Sequence, residues 1–154
     1  MKITYRPTTN ADLPELAKLM KAYYKTEKLQ FDRQRLICAM RSIISAPALG
    51  QLMMIEANAK VIGYYCVTYG FSLEYHGKDC FLDEIYITPS FQDQGIGSKT
   101  LKSIASYLKR SGHKALHLAV YNRNARAFGF YQRNGFSVVR ASFMTKRLEA
   151  SKRK

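Results

Sequence analysis

The stretch from Phe81 to Leu108, FLDEIYITPSFQDQGIGSKTLKSIASYL, constrains the fold of this chain more than any other. Leu82, Ile85, Tyr86 and Ile87 are β-prone and Thr88-Pro89-Ser90 ends the run, so it begins as a strand. Leu101, Ile104, Ala105 and Leu108 recur at helical spacing and form one apolar stripe. Between strand and helix lies Gln92-Asp93-Gln94-Gly95-Ile96-Gly97-Ser98. Its two glycines let the backbone come close to a ligand. The first N–H groups of the helix have no internal partner, and with the helix dipole they form an anion site. The stretch therefore predicts strand, phosphate-cradling turn, helix.

A GxG at a helix start is also ordinary turn chemistry, so the turn alone decides little. Two phosphate motifs are excluded. A dinucleotide fingerprint needs a third glycine where Thr100 stands, and a Walker A loop needs Gly-Lys-Ser/Thr where Gly97-Ser98-Lys99-Thr100 has another order. A second block lies downstream: Asn124-x-x-Ala127-x-x-x-Tyr131-x-x-x-Gly135-Phe136. The Gln-x-x-Gly-x-Gly turn followed by this block resembles the GNAT superfamily of acetyl-CoA-dependent N-acetyltransferases. The acidic pair Asp83-Glu84 also resembles that of the branch acetylating polyamines and diamines.

Composition narrows the class. With 154 residues, 47% hydrophobic and 23% charged, the chain reads as a single globular domain over 1–148, with a basic tail over 149–154 expected to be disordered. There is no charged-then-apolar leader and no apolar run near a membrane-spanning length, which predicts a cytoplasmic protein without a membrane partner. Cys38, Cys66 and Cys80 are odd in number and lack CxxC spacing, which argues against a zinc site or a disulfide framework; no metal is expected. A net charge of +14 fits a polyanionic partner, whether nucleic acid, an anionic membrane or an acidic cofactor, but for most of the lysines a basic solvated surface is the favoured reading. Glu74, Asp79, Asp83, Glu84 and Asp93 crowd between positions 74 and 93, and in so basic a chain they predict a site that attracts a cation.

Along the chain, KITYR (2–6) alternates as a strand closed by Pro7. Thr9 and Asp12 predict a capping box before a helix with Leu13, Leu16, Ala17, Met20 and Tyr23 on its stripe. A second helix starts near Asp32 and stops before Pro47. Residues 51–56 and 61–69 read as a hairpin joined by Ala57-Asn58-Ala59-Lys60, with Gly63 and Gly70 marking bulges or close backbone approach. After the central helix, 115–120 is a strand and 125–134 a helix, with Asn124 as N-cap and Gly135 after its end. Residues 136–147 alternate as a last strand. The order β-α-α-β-β-β-α-β-α-β is a mixed α/β (α+β) arrangement. The resemblance implies a mostly antiparallel central sheet flanked by helices and splayed between its fourth and fifth strands.

The same resemblance assigns roles. The pyrophosphate of acetyl-CoA would lie on the amides of Asp93, Gln94, Gly95, Ile96, Gly97 and Ser98 with Gln92 beside them. The pantetheine arm would pair with the backbone of Ile85, Tyr86 and Ile87 and reach Asn124. Tyr131 stands where family members carry the general acid for the CoA thiolate. Asp83 and Glu84 are both candidate bases for the acceptor amine. Adjacent strand residues face opposite sides, so only one of the two is expected to meet a given pocket. Glu74 is a candidate for binding the cation of the substrate. Tyr23, Tyr24 and Phe31 read as core or staple, with the floor of an acceptor pocket as the alternative. A small cationic amine leads as acceptor; a protein N-terminus or lysine remains open. A basic nucleic-acid-binding module is the competing class, although the chain has no helix-turn-helix, RRM or OB signature. Homodimers are frequent in the family, and no pattern in this chain marks an interface.

Overall fold

The computed structural model describes residues 1–148. Its strands are β1 (Ile3–Pro7), β2 (Gly50–Ala57), β3 (Lys60–Ser72), β4 (Gly77–Ile87) and β5 (Ala115–Leu118), and its helices α1 (Leu13–Glu27), α2 (Arg33–Ser45), α3 (Ile96–Arg110) and α4 (Ala125–Arg133). The strands lie side by side in chain order. The first three pairings are antiparallel and β4 pairs with β5 in parallel. A parallel neighbour requires a crossover, and α3 supplies it.

Each face of the sheet buries one layer of helices. Leu16, Met20 and Met40 from α1 and α2 pack on Met54, Tyr64 and Cys66. On the other face, Ile96, Leu101, Ile104 and Leu108 from α3 meet Ile55, Ile62, Val67 and Leu82, and Phe130 and Tyr131 of α4 close over them. The stripe of α3 differs from expectation at one place. Ala105 is exposed, and Thr100 is buried instead, its hydroxyl donating to the carbonyl of Ile96 at 2.9 Å. The capping box at Thr9 forms, and Asp32 caps α2 by accepting from the Arg35 amide at 3.1 Å.

Two bulges and one glycine set the sheet around the site. Glu56 opposes Val61 and Ile55 opposes Gly63, which leaves Ile62 as an extra residue; Glu84 opposes Cys66 and Leu82 opposes Val67, which leaves Asp83 as another. At Gly63 a Cβ would stand 2.1 Å from the carbonyl oxygen of Tyr86, so only glycine lets β3 and β4 approach this closely.

The expected strand over 136–147 does not form. The Phe136 N–H donates to the Tyr131 carbonyl at the end of α4, and from there to residue 148 the chain has no ladder partner among the described residues. Val138, Val139, Phe143 and Met144 are exposed, and the ring of Phe143 stands 6.4 Å from that of Phe81. Alternation records local preference, whereas a strand exists only by pairing. The expected basic tail lies outside the described residues.

Candidate functional site

The ladder between β4 and β5 stops at Leu82 opposite Leu118. Beyond it, the outer edge of β4 has no strand partner among the described residues, and the two strands part. A cleft of about 640 Å³ opens there, walled by Ile85 and Ile87 on one side and by Asn124, Ala127, Phe130 and Tyr131 on the other. At its outer end lie Gln92, Asp93, Gly95, Gly97 and Ser98, before and within the first turn of α3.

The turn residues divide into those facing the cleft and those building it. Gly95, the N-cap of α3, has φ +73°, and a Cβ there would meet nothing within 4 Å, so the space over the first amides is open. Gly97 has a different reason to be glycine: a Cβ would come within 2.9 Å of the Phe130 ring, so its absence seats α4 against α3. Gln92 does not reach outward. Its Nε2 donates to the Ile87 carbonyl at 2.7 Å and pins the turn to the end of β4. Gln94 donates to the Ser90 carbonyl at 3.0 Å and does not line the cleft, and the Ile96 side chain is buried in the core. Ser98 lines the cleft beside Gly97. Asp93 sits at φ +58°, and Nη2 of Arg126 donates to both of its carboxylate oxygens at 2.7 Å.

On the opposite wall, Asn124 caps α4 by accepting from the Ala127 amide at 3.0 Å. Its Nδ2 also donates to the Glu27 carboxylate at 3.3 Å, and Arg123 donates to the Glu27 carbonyl at 2.9 Å. The end of α1 is thus tied to the start of α4 across the cleft. Tyr131 packs between Phe130 and Phe136. Burial, with the charge of Glu27 adding, pushes its phenol up to about 12.

The parity expected for Asp83 and Glu84 does not hold. With Asp83 in a bulge, the alternation of β4 slips by one, so Leu82 and Ile85 lie on the α3 side while Tyr86 lies on the α1 side. Both carboxylates act on the same neighbours: their charges raise the phenols of Tyr23 and Tyr24 and the thiol of Cys66. Glu84 accepts from the Tyr64 hydroxyl at 2.7 Å, and the Tyr24 hydroxyl is near enough to favour its charged form. Burial raises its carboxyl, the two hydroxyls pull it back, and the charge of Asp83 raises it further. Burial also raises Asp83, but that residue keeps solvent access at the bulge, so water screens the effect there.

A cluster of rings lies around Glu84. Tyr23 stands 5.8 Å from Tyr24 and 6.1 Å from Tyr86, Tyr24 stands 6.0 Å from Phe31, and Tyr64 stands 6.3 Å from Tyr86. Tyr23 and Tyr24 are half-buried rather than core, and Tyr23 is within electrostatic reach of Glu84, Glu27 and Tyr131 alike. The acidic cluster in the sequence is otherwise dispersed. Asp79 lies 3.5 Å from His117, Asp93 is paired with Arg126, and Glu74 is exposed on the β3–β4 turn, at the opposite end of β4 from the cleft. Tyr64, Glu27 and Arg126 carry no motif, and only the folded chain brings them to the site.

A splayed α/β sheet with an open helix start beside a gap between parallel strands is the architecture of an acetyltransferase-type fold. The chain belongs to the Acetyltransferase (GNAT) family, whose model matches residues 13–136. It is similar to the thialysine N-epsilon-acetyltransferase of Bos taurus, 34% identical over 98 residues, which is 64% of this chain and 54% of that protein. An uncharacterised N-acetyltransferase of Methanocaldococcus jannaschii is 24% identical over 86% of this chain and 60% of its own length. The chain thus spans little more than half the length of these curated relatives. Among solved structures, an integron cassette protein from the Cole Harbour Salt Marsh metagenome superposes with TM-score 0.83 at 25% identity, covering 96% of this chain and 91% of that one. An aminoglycoside N-acetyltransferase, AAC(6')-Iy, solved with CoA, shares the fold at TM-score 0.80 and 14% identity, covering 96% and 95%.

Proposed function

We propose that the protein moves an acetyl group from acetyl-CoA to the primary amine of a small cationic molecule. The observation that carries this reading is the arrangement of the cleft. A free strand edge and an open helix start line it together with Tyr131, and Tyr23 stands within electrostatic reach of both Tyr131 and the acidic pair. The residues present fit the donor: Gly95 leaves room over free amides, and the unpaired edge of β4 at Ile85 and Ile87 offers an extended arm its backbone partners. Acetyl-CoA supplies the activated thioester carbonyl that the amine attacks and the thiolate that leaves.

The chain supplies the proton traffic. Glu84, carboxylate side toward the rings, takes a proton from the ammonium of the acceptor, directly or through water, and frees its lone pair. Asp83 adds a second negative charge near the entrance, and Tyr23 and Tyr86 present ring faces that favour a cation. Tyr131 gives its hydroxyl proton to the departing sulfur. Burial raises its phenol, so it keeps its proton at neutral pH until the thiolate departs. The names of the thialysine-acetylating relatives favour an amine at the end of a short side chain that also carries charge.

Thiol release measured against a panel of amines tests the reading. Tyr131→Phe is expected to lower kcat by a factor of about 10²–10⁴ with the acetyl-CoA Kd nearly unchanged; equal turnover removes Tyr131 from the mechanism. Asp83→Asn is expected to raise KM for the amine, whereas Glu84→Gln lowers kcat and abolishes the acidic limb of the pH profile. If both variants change KM alone, neither carboxylate is the base.

A further inference from the structure

An acidic side chain inside a phosphate-receiving turn is out of place, and Asp93 is such a residue. It stands two positions before Gly95, lines the cleft, and holds its carboxylate in a left-handed backbone conformation. Left alone, it would repel an incoming phosphate. It is not left alone, because Nη2 of Arg126 in the first turn of α4 bonds both of its oxygens at 2.7 Å. Both partners remain largely exposed, with 69% of the Arg126 side chain and 82% of the Asp93 side chain open to water. Only one guanidinium nitrogen is engaged, so the remaining N–H donors of Arg126 are free for a second anion.

We propose that Arg126, held in place by Asp93, is the residue that recognises the 3′-phosphate of coenzyme A. This rests on the cleft being the acetyl-CoA site. The reacting end lies at Tyr131 and Ile87, and the amides after Gly95 suit the pyrophosphate. The next anionic group outward is the phosphate on the ribose, and Arg126 is the cation at that rim. Arg133 also lines the cleft, but its guanidinium lies over Gly129 on its own helix, one helical turn further along, and has no acidic partner in the turn. Asp93 then acts as a stand-in for the phosphate: it orients Arg126 in the free protein and yields it, wholly or in part, when the ligand arrives.

Calorimetric titration with CoA and with 3′-dephospho-CoA separates the alternatives. Wild-type protein is expected to bind CoA about tenfold more tightly than dephospho-CoA, the scale of one charge-assisted hydrogen bond. Arg126→Ala should erase that preference while leaving dephospho-CoA affinity almost unchanged, and Arg126→Lys should retain part of it. Asp93→Asn keeps the left-handed turn accessible and removes the competing anion, so CoA binding should tighten several-fold. Equal wild-type affinity for both ligands overturns the inference and leaves the acetyl-CoA assignment standing. Loss of preference in Arg133→Ala but not in Arg126→Ala overturns it too. If neither ligand binds wild type, the cofactor reading fails and this inference falls with it.

Discussion

Ionising Glu84 costs free energy, because burial raises its carboxyl above the ordinary range and the hydroxyls of Tyr64 and Tyr24 offset only part of that rise. The sign of the consequence is fixed by linkage. A carboxyl whose folded pKa lies above its unfolded value binds protons more tightly in the folded state, so its presence lowers stability as pH rises through the interval between the two. Stability of wild-type protein should therefore decline between the ordinary carboxylate range and the raised value, and Glu84→Gln should flatten that slope. Melting temperatures of both proteins, measured from pH 4 to pH 8, check it; parallel curves would show that Glu84 is not perturbed. At this scale the sequence was only half legible. Tyr131 and Asn124 could be located because the spacing of their motif fixes them on one helix. The sides that Asp83 and Glu84 take could not, because a bulge breaks the alternation by which faces are counted and no residue type announces it. Tyr64 lies twenty positions from Glu84, so its hydrogen bond is visible only across the β3–β4 pairing.

Among the elements, the β2–β3 hairpin shows how a strained turn survives when its strands are strong. Asn58 and Ala59 both have positive φ, 49° and 64°, which gives the two-residue turn whose twist suits a hairpin. Asparagine tolerates that region, but alanine does so only at a cost of roughly 1–2 kcal/mol. Ala59→Gly is therefore expected to stabilise the protein by about 1 kcal/mol, less whatever glycine adds to the entropy of the unfolded chain. Urea unfolding midpoints measure this, and a midpoint below wild type would refute the strain. Gly63→Ala is its opposite, since the added Cβ would meet the Tyr86 carbonyl across a buried ladder. Most elements could be read because each carries its own period, cap and stop: Asp32 before α2, Gly95 before α3, Asn124 before α4. Residues 136–147 carry a period too, but periodicity says nothing of a partner, and β5 is only four residues long.

The whole molecule is divided by charge. From Gln94 to Leu148 the sequence contains no aspartate or glutamate, while Lys99, Lys102, Lys109, Arg110, Arg126 and Arg133 lie on α3 and α4. The start of α3 and one side of α4 line the cleft, with Arg126 and Arg133 among the lining residues, while Glu84 lies on β4 bonded to Tyr64. On the proposed reading the net +14 has a direction: a polyanionic donor would meet the basic helices, and a cationic acceptor would meet Asp83 and Glu84. The field of exposed lysines is screened within about 8–10 Å at physiological salt, so donor affinity should depend on ionic strength and the chemistry at Tyr131 should not. Between 50 and 500 mM salt the Kd for acetyl-CoA is expected to rise by roughly an order of magnitude, while kcat at saturating substrates stays nearly constant. Titration with a single-stranded RNA homopolymer over the same range distinguishes a directed field from a general polyanion surface. Weak RNA binding that disappears near physiological salt, beside acetyl-CoA binding that persists, fits a wall built for the donor. Salt-insensitive acetyl-CoA binding would mean that the open amides after Gly95 hold the donor without help from the lysines, and the basic half of the chain would then need a different partner.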